Sequence, residues 1–306
     1  MSPLVLLRLL KETIQAWQAD KASRLAAAVA YYTIFSLAPL LIIAVAIAGA
    51  IFGAEAAQGE IVGQIQDLVG KEGATVIETA IKNAHQPEIS SFASLISVGV
   101  LLFGASGVFA ELQDALNTVW NVKAKPNQGI IYFLRKRILS FCAVLGIGFL
   151  LLFSLIISAI LSALSKYIPD LFFGAGLFWQ ILNQVVSLGL ISCSFALMFK
   201  LLPDVKIKWR DVWVGAIITA ILFTIGKFSL GLYLARSSFS STYGAAGSLV
   251  IILAWVYYSA QIIFLGAEFT QVYSKRYGSP IIPDKHAVSV ADLERTRTRM
   301  ERKKRN

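Results

Sequence analysis

The sequence predicts an all-α, polytopic membrane protein with six transmembrane helices, an N-terminal interfacial helix and both termini cytoplasmic. Three observations carry that expectation. Hydrophobic residues make up 57% of the chain and charged residues only 15%, too apolar a balance for a soluble chain of 306 residues. Six apolar stretches are each long enough to cross the ~30 Å hydrocarbon core, which takes about 20 helical residues. The basic residues alternate between the gaps: 23 of the 28 Lys and Arg lie before the first stretch, between the second and third, between the fourth and fifth, or after the sixth. Because Lys and Arg are held on the cytoplasmic side during insertion, that alternation sets the orientation.

Residues 1–26 form the first element. Leu4, Leu7, Leu10, Ile14 and Trp17 share one helical face, with Arg8, Lys11, Glu12 and Gln15 elsewhere, the pattern of a helix lying in the cytoplasmic interface. The same charges interrupt the early apolar run, so a cleavable signal peptide is not expected. The transmembrane region, 27–277, holds spans near 27–52, 92–112, 138–163, 179–201, 211–235 and 246–272. Tyr167, Pro169 and Asp170 mark an exit after the third, and Trp179 marks re-entry as an interfacial aromatic. Between the first two spans, the external loop 53–91 is acidic and carries two short apolar stripes broken around Gly70 to Gly73, which predict a helical hairpin, either packed on its own protein or closing over the outer face. From 278 to 306 polarity rises, Pro280 and Pro283 interrupt any helix, and a basic run predicts a disordered cytoplasmic tail.

A net charge of +10 would point to nucleic acid in a soluble protein. Here the positive-inside distribution accounts for it, so the expected partners are membrane lipids, with anionic inner-leaflet lipid at the basic tail and no specific nucleic acid. Homo-oligomerisation is left open. Cys142 and Cys193 fit no zinc or redox spacing, and His85 and His286 fall on opposite sides of the expected membrane. No catalytic, metal or cofactor site is expected, and the chain reads as a non-enzyme.

Polar side chains inside a membrane are costly unless they meet a partner or a wet cavity. In the last span Ala254, Tyr258, Gln261, Leu265 and Glu268 recur on one stripe; Glu268 is either a half-buried gate or ion site or an interfacial carboxylate. In the second, Gly104, Gly107 and Glu111 share a face, which serves close helix packing or a groove ending in a carboxylate. Lys227 falls inside the fifth span on a stripe with Ala220, Thr224 and Gly231, which predicts an ammonium facing protein; snorkelling to the outer surface is the alternative. Gln184 and Ser187 of the fourth span, and Tyr258 of the sixth, lie at comparable expected depth. Pro39 removes a backbone hydrogen bond in the first span and is the candidate hinge, or a packing kink.

Three runs carry a family resemblance: Arg24-Leu-Ala-Ala-Ala-Val-Ala-Tyr-Tyr-Thr-Ile-Phe-Ser-Leu-Ala-Pro39-Leu, Glu111-Leu-Gln-Asp-Ala-Leu-Asn-Thr-Val-Trp120, and Tyr243-Gly-Ala-Ala-Gly-Ser248-Leu249 leading through Trp255, Tyr257, Ser259 and Gln261 to Leu265-Gly-Ala-Glu268. Over residues 10–277 the chain resembles the YihY/virulence factor BrkB family of bacterial inner-membrane proteins. The resemblance implies six spans in the bacterial plasma membrane and a link to serum resistance and envelope lipid export. Such proteins were once labelled ribonuclease BN; the absence of a histidine and carboxylate cluster able to hold catalytic metal argues against that activity. The expected function is a transporter or permease for an anionic or amphipathic solute or an envelope lipid, with Lys227 attracting the anion and Glu111 and Glu268 binding a proton or forming an inner gate. A non-transporting scaffold or envelope-assembly factor is the alternative.

Overall fold

The computed structural model describes residues 3–52, 91–125, 175–236 and 247–305, with a few positions between 59 and 79. Its helices are α1 (Pro3–Ala19), α2 (Ala22–Phe52), α3 (Ser91–Val119), α4 (Ala175–Leu201), α5 (Trp209–Arg236), α6 (Gly247–Tyr277) and α7 (Val290–Arg305). Four short strands accompany them: β1 (Val122–Ala124), β2 (Val205–Lys206), β3 (Ile282–Pro283) and β4 (Ala287–Ser289). Five of the six expected spans coincide with α2 to α6 to within a few residues; the third, 138–163, lies outside the described residues. Among the described residues, Phe178–Leu201, Trp209–Leu230 and Leu249–Tyr277 are long and apolar enough to cross a membrane. The described positions of the 53–91 loop are helical, and Thr79 Oγ1 donates to the Thr75 carbonyl at 2.8 Å.

Two compact units divide the chain. One comprises Met1–Ala22, Gln113–Leu222 and Ile263–Asn306, the other Ser23–Leu112 and Phe223–Ile262.

In the first unit, α6 is encased from Gly266 to Val272. Its Phe269 and Val272 pack on Leu9 of α1, with Val5, Ala16, Val214, Ile218 and Tyr273 around them. The predicted face of α1, by contrast, is bare: Leu4, Leu7, Leu10 and Ile14 are exposed. The helix is thus apolar on two sides, one turned to protein and one left for another apolar medium. Glu12 adds an ion pair to Arg276 at 3.0 Å, both partly exposed, a geometry worth only about 0–1 kcal/mol.

The tightest packing joins α5 to α6. Thr219 and Thr270 are wholly buried, and their hydroxyls donate to the carbonyls four residues back, of Gly215 and Gly266 at 2.7 Å each. A Cβ on Gly215 would fall 1.7 Å from Thr270 Oγ1, and one on Gly266 would fall 1.8 Å from Thr219 Oγ1. Each threonine therefore occupies the place that the glycine of the facing helix leaves empty. Buried Ala216, Ala220 and Ala267 flank these seats and let the backbones approach.

The strands tie loops together. β1 pairs antiparallel with β4, Val122 opposite Ser289 and Ala124 opposite Ala287, and β2 pairs with β3, Val205 opposite Pro283. Asn121, at φ 55°, turns the chain out of α3 into β1, a left-handed conformation that Asn tolerates better than most residues. In the region expected as a tail, residues 282–305 form two strands and α7. Donors and acceptors left open on β1 and β2 are met by the returning chain, and Val290 N–H continues the ladder to the Asn121 carbonyl at 3.0 Å. Arg, Met, Glu and Lys in α7 are good helix formers despite their polarity, and Asp292 stands in its first turn, where the helix dipole favours an acid.

In the second unit, Ser36 of α2 donates to the Gly104 carbonyl of α3 at 2.6 Å, and Gly107 faces Ser36 and Tyr32. The glycine groove of α3 is thus occupied by α2. Further along, Gly226 of α5 receives Tyr258 and Ile262 of α6, and Trp255 meets Phe223 edge-on with ring centres 6.3 Å apart.

Gly215→Ala should lower stability by about 1–3 kcal/mol through overpacking, measured by thermal unfolding in detergent. Gly189→Ala, where nothing lies within 4 Å of the added carbon, should be neutral or stabilising by up to ~1 kcal/mol. Equal effects at both positions would contradict the interlocked packing.

Candidate functional site

Within the first unit, the encased half of α6 projects polar side chains to every side. Gln271, 2% exposed, donates through Nε2 to the carbonyl of Val119, the last residue of α3. Ser274 donates to the Ser279 carbonyl at 3.0 Å. Beside it, Asp211 in the first turn of α5 is buried and accepts the Ser279 N–H at 2.9 Å. Gly278 permits that contact, because a Cβ there would sit 2.6 Å from the Asp211 carboxylate.

A second staple fixes the loop after α4. Asn117 of α3 donates from Nδ2 to Asp204 Oδ2 at 2.8 Å and accepts the Asp204 N–H at 2.8 Å, while Gln113 donates to Asp204 Oδ1 at 3.1 Å. The Asp204 carbonyl in turn accepts the Asp284 N–H at 2.9 Å. At the end of α4, Lys200 donates to the Ile207 carbonyl, and its ammonium lies 5.7 Å from the centre of the Trp209 ring. Each of these acids has donors.

Glu268 has none. It is wholly buried, and neither carboxylate oxygen receives a hydrogen bond from an N–H or O–H group. Its neighbour is another acid, Asp20, at the turn between α1 and α2, close enough for a carboxyl-to-carboxyl hydrogen bond. Two ionised carboxylates have no proton to form such a bond, which is why the oxygens lack donors; one proton retained between them would supply it. Burial pushes the Asp20 carboxyl up from its ordinary value, against the lowering influence of the Glu268 contact and the Lys275 ammonium. Lys275 follows Glu268 by two helical turns and is the cation acting on both acids. Lys21, at φ 52°, makes the turn that holds Asp20 here, and the Asp20 N–H closes α1 on the Ala16 carbonyl at 2.9 Å.

The other expected site residues are spread over both units. In the first, Gln184 of α4 is exposed and Ser187 half-buried. In the second, Glu111 is half-buried on α3, Gly104 and Gly107 meet α2, and α2 runs through Pro39 as one helix. Thr224, Tyr258 and Gln261 are half-buried, and the Gln261 Oε1 and Ser259 Oγ atoms are buried without a hydrogen-bond partner. Lys227 is exposed, beside exposed Ile225, Phe228 and Ser229. Ala220 on the same stripe is wholly buried, so the stripe's shared small or polar character did not signal a common burial, although Gly226 beside Lys227 stays packed on Tyr258 and Ile262. Asp20 was missed because an acid beside Lys21 near an interfacial helix resembles an ordinary solvated turn.

Long apolar helices with lipid-compatible exposed stripes, such as Trp213, Ile217, Ile221, Ile225 and Phe228 on α5, define an integral membrane protein. The model of the family "Virulence factor BrkB" matches residues 13–290. The chain belongs to that family. It is similar to a UPF0761 membrane protein of Rhodospirillum centenum, 29% identical over 249 residues, covering 80% of this chain and 53% of that protein. A relative from Verminephrobacter eiseniae is 28% identical, covering 84% of this chain and 60% of its own length. Another, from Mannheimia succiniciproducens, is 29% identical over 84% of this chain and 86% of its own. The chain thus spans little more than half the length of several curated relatives it matches. No solved structure matches it.

In a double-mutant cycle of Asn117→Ala and Asp204→Ala, unfolding of purified protein should give a coupling of about 1–2 kcal/mol. Strict additivity would contradict the staple.

Proposed function

We propose that the protein is a plasma-membrane permease for an amphipathic anion, an envelope lipid in particular, with six spans and both termini cytoplasmic. The observation that carries this reading is Glu268, a wholly buried carboxyl without donors on a long apolar helix. Such a group costs several kcal/mol unless function retains it. The exposed position of Lys227 favours a lipid over a small solute: an ammonium on an outward helix face is met by headgroups travelling along the bilayer rather than by solutes in a central pore. Topology is supported by the strand pairs, since β1 and β2 come from two Lys- and Arg-rich segments and each hydrogen-bonds to a strand of the basic C-terminal segment, as segments on one side of the membrane would. The bare apolar face of α1 supports a helix lying in that interface.

The scaffold reading draws on the interlocked Gly and Thr seats and the loop staples, which resist rearrangement. Transport distinguishes the two. Protein reconstituted into vesicles with labelled anionic lipid should accelerate its movement between leaflets. Lys227→Ala should slow this by ~10-fold, the equivalent of about 1.4 kcal/mol of lost attraction. Vesicles in which wild-type protein moves neither lipid nor an anionic solute would leave the scaffold reading in place.

A further inference from the structure

We propose that Asp20 and Glu268 form a binding site for a single proton, which fastens the α1–α2 turn to the encased half of α6. The inference stands on packing and does not depend on the permease reading. Glu268 has no exposed surface and neither of its oxygens has a donor. Asp20 contacts it through a second carboxyl. A buried acid and a half-buried one at contact repel when both are ionised, and holding one proton between them removes the repulsion and creates the missing hydrogen bond.

The surroundings supply no substitute. The portions of α1, α3 and α5 packed on this part of α6 present Leu9, Val119, Val214 and Ile218, which do not titrate, and the Asp211 carboxylate at the start of α5, which lies against Ser274 and accepts the Ser279 N–H. Glu12 and Arg276 are engaged with each other. Among the described residues, Lys275 is the remaining charge acting on the pair, and it forms no direct ion pair with either acid. With one proton bound, the two carboxyls carry a single negative charge, which the Lys275 ammonium balances; with none bound, one negative charge is left over in a buried place. A divalent metal would need more ligands than two carboxyls and would face the same ammonium. The smallest cation fits best.

The sign follows from where the proton is held. Burial raises the Asp20 carboxyl above its ordinary value, so in the window above that ordinary value the folded chain binds more protons than the unfolded one. Stability is then greatest at the acid end of the window and falls as pH rises until the site has emptied. The turn carrying Asp20 would loosen from α6 at the alkaline end.

The test uses the purified full-length protein in detergent, with thermal unfolding followed from about pH 5 to about pH 8, a window above the ordinary carboxylate range. Wild-type Tm should fall across the window. Glu268→Gln, which imitates the protonated side chain, and Asp20→Asn should each flatten that dependence and be at least as stable as wild type at the alkaline end. Infrared difference spectra of wild-type protein at the acid end of that window should show a protonated-carboxyl band that is lost on alkalinisation and altered in Asp20→Asn. That reading of the wild type decides the matter even if a variant fails to fold. A wild-type slope retained in both variants, absence of the band, or a Tm raised by sodium over choline at constant pH and ionic strength would each overturn the proposal. Because no substrate enters the experiment, its failure is separate from any failure to observe transport.

Discussion

The exchange of threonine for missing glycine side chains between α5 and α6 is the contact on which the first unit depends. In lipid the hydrophobic effect gives helices little reason to associate, so close backbone approach and the dispersion contacts it allows must hold them. Gly215 and Gly266 provide the approach, and Thr270 and Thr219 fill it. Their hydroxyls remain satisfied by bonding back to their own helices, so the seat leaves no polar atom bare. Once α6 is fixed in this way, its neighbours take their places around it: α1 on Phe269 and Val272, the end of α3 on Gln271, the start of α5 on Ser274. Glu268 is held among them without a donor of its own.

Much of this was legible in the sequence. Apolar length placed five helices, with α3 running seven residues past its expected span, because that signal is set by the membrane rather than by tertiary detail. The close helix packing at Gly104 and Gly107 was legible too. The seats between α5 and α6 were not. A glycine and a threonine four residues apart mean little until the same pair, reversed, is found opposite on another helix. Strands of two or three residues show no periodicity, so the pairing of β1 with β4 and β2 with β3 could not be read, and polarity in the last residues outweighed their helix propensity. Lys227 shows the limit of stripe arguments: Ala220 on its stripe is wholly buried and Lys227 is exposed, although the adjacent Gly226 still packs on α6.

These features bear on function in different ways. Close packing and stapled loops give the first unit a frame in which, among the described residues, the buried Asp211 has donors and the buried Glu268 has none. Glu268 shares this lack of partners with the buried Trp120 Nε1, but of the two only the carboxyl can carry a charge. Apolar stripes of α1 and α5 are exposed, and on α5 Lys227 is exposed beside Ile225 and Phe228. A permease that handles lipid needs such an arrangement: a firm interior with one exchangeable charge, and a basic group reachable from the bilayer.

The encasement of α6 is open to direct measurement by hydrogen exchange on the full-length protein in lipid nanodiscs, resolved to single amides along the helix. Amides from Gly266 to Ser274 should be the slowest in the chain, and Gly215→Ala should accelerate them together with the start of α5. Rapid exchange across Gly266 to Ser274 in the wild type, or a Gly215→Ala variant that leaves their protection unchanged, would contradict a fold organised around this helix.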